Sequence, residues 1–147
     1  MKKLKVNWPK FTATFKALRA AIFNWAVGLT LAFKAGLLFE LFRVTPAPTE
    51  PLFLQLFSWL VIVFGIGYFW ASKDPAANAP IVRLGLLGKL SVVLAALACV
   101  LTGAVSWQMM ILASADLLYV ILFWRALKGM ESLKVRELIT DHEARGR

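Results

Sequence analysis

The chain has 147 residues, 60% of them hydrophobic and only 17% charged, with a formal net charge of +9. A soluble domain of this size is nearer half apolar with about a quarter of its residues charged, and here the charges are bunched between long uncharged runs, so a soluble fold is excluded in favour of transmembrane helices. The excess of Lys and Arg flanks those runs, which is the placement of juxtamembrane anchors to anionic headgroups and excludes a nucleic-acid-binding face.

The first segment, 1–19, opens on "MKKLK". The apolar run behind it is too long for a signal peptide and no small-residue cleavage site follows, so it reads as a retained helix. Phe11, Phe15, Leu18 and Ile22 recur at helical spacing among Lys10, Lys16 and Arg19. This predicts an amphipathic helix lying in the interface, with Trp8 as an anchor.

Four spans follow, at 20–42, 52–71, 81–104 and 106–126. Each is long enough for a hydrocarbon core of about 30 Å. Helices are required because no water is present there to satisfy the backbone, and no alternating pattern supports a barrel. "VTPAPTEP" (44–51) is a stiff extended link, and "SKDPAANAP" (72–80) is a polar turn. In that turn Asp74 is expected to N-cap the third helix and Pro80 to sit in its first turn. "TGAVSW" (102–107) is so short that spans three and four must form a tight antiparallel hairpin. The tail, 127–147, continues as a helix with an imperfect stripe at Leu127, Met130, Leu133 and Leu138. The whole is one all-α transmembrane domain. It is a four-helix bundle with an N-terminal interfacial helix and a cytoplasmic helical tail.

Basic residues crowd one side. Lys2, Lys3, Lys5, Lys10, Lys16 and Arg19 precede span one, Lys73 and Arg83 bound the middle loop, and Arg125, Lys128, Lys134, Arg136, Arg145 and Arg147 follow span four. Arg43 alone stands opposite. Both termini are therefore expected in the cytoplasm, with Lys73 and Arg83 at the headgroups. Tyr68, Trp70 and Trp124 fall toward that side and Trp107 toward the other, while Trp25 and Trp59 read as packing residues.

Small residues mark where helices touch in lipid. Gly88, Ser91, Ala95, Cys99 and Gly103 follow a 3/4 spacing in span three, and Gly85, Ala96 and Thr102 widen the strip. Span three is therefore expected to be central. Gln55, Ser58 and Gly65 form a stripe in span two, and Asn24 and Gly28 serve span one.

The chemistry the sequence permits is narrow. The one cysteine, Cys99, excludes a CxxC redox pair and reads as a buried spacer. The one histidine, His142, lies in the tail, so bis-His haem and His-rich di-iron sites have no ligands. No metal, cofactor or catalytic residue is assigned. What remains is Asp116, near the middle of span four and roughly 15 Å from either interface. A lone charge there costs about 2.5–3.5 kcal/mol on the insertion scale, so it needs a partner or a proton. Lys34 and Lys89 lie at similar depths on spans one and three, and the tight hairpin favours Lys89. If all three ionise, one positive charge is in excess, and one lysine snorkels or titrates. Tyr119 and Ser114 extend a candidate polar pocket on span four, and Gln55, Ser58 and Asn24 line it from other helices. Glu40 is placed to pair with Arg43.

The run "GIGYFWASKDPAANAPIVRLGLLGKL" (65–90) with "SADLLYVILFW" (114–124) resembles small four-helix bacterial inner-membrane proteins of DoxX-like layout. The shared elements are a Gly-x-Gly-Tyr helix end, an Asp-Pro turn, a Gly-Lys in span three and an Asp in span four. The resemblance implies a bacterial inner-membrane location and the four-span fold, and no transferable activity. The thiol chemistry of some members has no support in a lone Cys99. Small multidrug transporters carry a glutamate deep in the first helix, whereas Glu40 lies near its outer end.

Three functions stay open at this point. An accessory or small-ligand-binding module needs only what the residues offer: a bundle that holds a lipid, a quinone or an apolar metabolite, or that binds a membrane-protein partner or a second copy. A proton-coupled transporter would use Asp116 and need an oligomer. A membrane enzyme would use Asp116 as acid or base, without a supporting nucleophile or metal set.

Overall fold

The structure, a computed structural model, describes residues 8–145, with the side chains of 8–11 and of several positions beyond Ser132 outside that description. Lys2, Lys3, Lys5 and Arg147, and the side chains of Trp8, Lys10, Phe11, Leu133, Lys134, Arg136, Leu138 and His142, therefore lie outside the described residues.

Four α-helices account for nearly all of it: α1 (Trp8–Leu41), α2 (Pro51–Lys73), α3 (Ala79–Leu101) and α4 (Met109–Arg145). All four are long and apolar enough to cross a membrane, and no strand occurs among the described residues. They run up, down, up and down, so the start of α1 and the end of α4 lie at one end of the bundle, the terminal end.

Helix α1 packs chiefly on α2, α3 on α4, and α1 closes the ring against α4. Glycine sets the α1–α2 contact. A Cβ on Gly28 would meet Ile62 and the Ser58 carbonyl, and one on Gly65 would meet the Trp25 ring and the Ala21 carbonyl. Close backbone approach through small residues is how helices associate in lipid, which offers no hydrophobic drive. Helices α2 and α3 touch toward the terminal end, where a Cβ on Gly85 would collide with the Tyr68 ring and one on Gly67 would press on Ile81. The contact thins at Gly88, where a Cβ would clear the Phe64 ring at 3.5 Å.

Two apolar clusters result. One, at the terminal end, gathers Ala17, Ala20, Ala21, Tyr68, Ala71, Val82, Phe123 and Leu127. The other, at the far end, gathers Leu31, Phe39 and Val44, with Leu54, Met109 and Leu112 against them.

The helix ends follow local chemistry. Helix α3 stops in a Schellman turn, with Gly103 at φ +73° and Ala104 N–H donating to Cys99 O at 2.9 Å. Helix α1 ends in the same way, with Arg43 at φ +53° and Val44 N–H donating to Phe39 O at 2.9 Å. The apolar contact that accompanies such a turn is present, since Phe39 and Val44 share the far-end cluster.

Several expectations need correction. The described part of the segment before span one, 8–19, is no separate helix but the opening turns of α1. It buries Ala13 and Ala17, while Phe15 and Ile22 point outward. Alanines win the inner face because they let α1 lie close to its neighbours. Asp74 does not cap α3. Its Oδ1 accepts from Ala76 and Ala77 N–H within the turn, and Asn78 stands at the N-cap without a side-chain bond. Span four begins at Met109, because 102–108 forms the connection. Trp59 is exposed and faces outward. Tyr68 is 1% exposed and belongs to the core instead of the interface.

The stripe on α3 is also corrected. Its buried residues are Val82, Gly85, Lys89, Val93 and Ala96. Ser91, Ala95, Cys99, Thr102 and Gly103 are exposed, and Gly88 is half-buried. Small side chains fit either surface of a lipid-embedded helix, so their spacing alone does not say which face packs.

Candidate functional site

A layer of polar side chains separates the two apolar clusters. Lys89 stands ten residues into α3, on the strip that faces the other helices. Its Nζ donates to Asp116 Oδ1 on α4 at 2.5 Å and to Asn24 Oδ1 on α1 at 3.0 Å. Asn24 is held in turn, because its Nδ2 donates to Val61 O on α2 at 3.2 Å. One lysine thus ties α3 to α4 and α1, and through Asn24 to α2. Burying a charge is tolerated only where it is paired and hydrogen-bonded, and both conditions are met.

Aromatic rings flank Lys89. Its Nζ lies 5.0 Å from the ring centroid of Tyr119, 5.3 Å from Phe23 and 5.8 Å from Tyr68. Ring faces carry negative potential and attract a cation within about 6 Å, most strongly where water is excluded. The rings brace one another. Phe23 and Tyr119 are 5.2 Å apart, and Tyr68 meets Phe123 edge-on at 5.1 Å. Tyr119 is anchored by its hydroxyl, which donates to Arg19 O at 3.2 Å. Gly85 makes this cage possible by leaving room for the Tyr68 ring.

Beside the cage lies a cavity of about 400 Å³. Asn24, Lys89 and Asp116 form its polar wall, with Tyr68 and Ser91 also in the lining. Val27, Leu31, Leu60, Val92, Met109 and Leu112 carry it toward the far end as an apolar chamber. It is partly open, and Phe57, Leu60 and Phe64 of α2 face Gly88, Ser91 and Val92 of α3 across it. These two helices make less contact than the other adjacent pairs, so the opening lies along their seam. The lysine side chain is 6% exposed and the Asp116 side chain 21%. The carboxylate is therefore the more accessible partner.

Among the residues expected at the site, Asp116, Lys89, Asn24 and Tyr119 come together. Lys34 does not. It is exposed and stands at a break in α1, with φ −146° and ψ 46°. Gln55 is also exposed, and its Nε2 donates to Ala32 O at 2.7 Å beside that break. Ser58 is buried but bonds its own helix at Leu54 O and packs at Gly28 instead of lining the cavity. Ser114 is exposed and bonds Ile111 O. Lys73 and Arg83 are exposed at the terminal end, where Lys73 covers the Phe69 ring at 4.5 Å and Arg83 pairs with Glu131 at 3.2 Å. The pairing expected of Glu40 with Arg43 is absent among the described side-chain contacts; the two meet only as Arg43 N–H to Glu40 O.

Sequence reasoning missed Phe23 and Tyr68 as cage walls. The signal was available: Phe23 precedes Asn24 on the inward strip of α1, and Tyr68 lies one turn from Gly65 on that of α2. No group of three or more His, Cys, Asp or Glu placed to hold a metal occurs among the described residues. Comparison with protein-family models, curated proteins and solved structures finds no match.

Proposed function

We propose that the protein is a multi-pass binding module of a bacterial inner membrane that holds a small lipophilic molecule between its helices. The observation that carries this reading is the cavity of about 400 Å³, largely apolar, open along the α2–α3 seam and ending on the Lys89–Asp116 pair. Its size falls within the range of about 300–1,000 Å³ common to small-molecule sites, and such sites combine apolar walls with few fixed polar groups. The seam lies between two membrane-crossing helices, so a ligand enters from the hydrocarbon layer. Basic residues at the terminal end, among them Lys16, Arg19, Lys73, Arg83, Arg125 and Lys128, support a cytoplasmic orientation of both termini beside anionic headgroups.

The test is organic extraction of protein purified in mild detergent. Wild type is expected to release a lipophile in near-stoichiometric amount. Val92→Trp, which fills the chamber, is expected to lose it while keeping the thermal transition. Equal recovery from the two proteins sinks the reading.

A further inference from the structure

We propose that the cavity ligand is a neutral lipid alcohol whose hydroxyl bridges Asp116 and Lys89; the inference rests on the cavity reading above and names the chemistry of the ligand's head. The hydrogen-bonding capacity left over at the polar wall decides that chemistry. Asn24 is 4% exposed, its Oδ1 accepts from Lys89 and one of its two Nδ2 hydrogens goes to Val61 O, so it turns little capacity toward the cavity. It is a positioning residue for Lys89. The lysine ammonium carries three N–H groups. Two are taken by Asn24 Oδ1 and Asp116 Oδ1, which leaves one donor. The Asp116 carboxylate uses Oδ1 for Lys89, lines the cavity and keeps 21% of its side chain exposed, which leaves Oδ2 as an open acceptor. The Lys89–Asp116 pair therefore offers one acceptor beside one donor, while the Ser91 hydroxyl is turned to its own helix at Gly88 O. A hydroxyl, which donates one hydrogen bond and accepts others, satisfies both.

Charge narrows the choice further. The pair is neutral as a unit, and the aromatic cage that would otherwise receive an organic cation is filled by Lys89 itself. A carboxylate head would set a second negative charge against Asp116. An ammonium head would set a second positive charge against Lys89. Either adds an unpaired charge within the membrane-crossing part of the bundle. An ether accepts but cannot donate, so Oδ2 would lose its solvent without gaining a partner. Sites built around a hydrogen bond discriminate strongly against analogues that cannot complete it. The apolar chamber runs from the pair to Leu31, Met109 and Leu112, which gives the alkyl chain its direction away from the terminal end.

The experiment measures saturable binding of tritiated hexadecan-1-ol to wild-type protein in phosphatidylcholine nanodiscs, whose lipid has no hydroxyl. Competitors are hexadecyl methyl ether, hexadecanoate and hexadecylammonium. The alcohol is expected to compete about tenfold or more better than the ether, the factor of a hydrogen bond to a charged group. Both ions are expected to compete less well than the alcohol. In Asp116→Leu,Lys89→Met the alcohol and ether should become equivalent, while Val92→Trp should bind neither. The wild-type comparison needs no variant to fold. Equal competition by alcohol and ether, with saturable binding intact, overturns the hydroxyl assignment and leaves the cavity reading standing. Stronger competition by either ion overturns it in favour of a charged head. No saturable binding by any of the four overturns the cavity reading and the head assignment together.

Discussion

Lys89 and Lys34 are both lysines within membrane-crossing helices, and their surroundings differ at every level. Lys89 sits in unbroken α3, takes a carboxylate and an amide oxygen, and is flanked by three rings. Lys34 sits where α1 leaves helical geometry, with an exposed side chain and no ion pair among the described residues. From Lys34 to the end of α1 at Leu41 is about 10 Å, close enough for a long side chain to lean toward the interface. One charge is accommodated by assembling partners from three other helices. The other is accommodated by bending the backbone and pointing out. The bend has its own support, since Gln55 reaches from α2 to the Ala32 carbonyl just before it. A side chain inserted beside the hydrogen-bond ladder is a recognised cause of helix kinks, and it keeps backbone groups satisfied where water is scarce.

The largest effect should come from stripping the first lysine of its charge. Lys89→Met leaves the Asp116 carboxylate beside an apolar cage without a counter-ion, and removing one partner of a buried pair costs about 3–5 kcal/mol. Thermal unfolding in detergent should show that loss, and Lys89→Met,Asp116→Asn should recover most of it. If the single change proves as stable as wild type, the pair is not holding the bundle together. A smaller effect is expected at the bend. Gln55→Leu removes the donor to Ala32 O and should cost about 1 kcal/mol, read in the same way. The smallest belongs to Lys34 itself. Lys34→Leu should change stability by less than about 0.5 kcal/mol, as exposed substitutions usually do. A loss near that of Lys89→Met would mean that the two sites are not the opposites described.

The parts of the fold set by long apolar runs are legible in the sequence. The four spans, their order and the closeness of α3 to α4 follow from run length and loop length. The closeness in turn brings Lys89 to Asp116. Which way each helix faces is not legible. In water an amphipathic stripe separates inside from outside, but in lipid both faces of a helix are apolar and periodicity loses that meaning. The Gly88–Ser91–Ala95–Cys99–Gly103 series is therefore as compatible with the lipid side, where most of it lies, as with the packed side. A better guide is Lys89 itself. Taking it as inward selects Gly85, Val93 and Ala96, which are buried. The break at Lys34 has no proline to announce it, and the role of Gln55 follows from the break.

One feature at the far end bears on how the cavity is reached. Thr45 N–H donates to Ser106 Oγ at 2.9 Å, and Ser106 N–H donates to Thr45 O at 2.7 Å. The loop leaving α1 is thus stitched to the loop entering α4. At the terminal end the short turn 74–78 sews α2 to α3, and the Tyr119 hydroxyl fastens α4 to α1. Of the four corners where neighbouring hairpins meet, three are tied. The fourth, between the start of α2 and the end of α3, carries no hydrogen bond among the described residues. The molecule is built like a spring clip, with its spine along α1 and α4 and its untied corner between two helices long and apolar enough to cross a membrane.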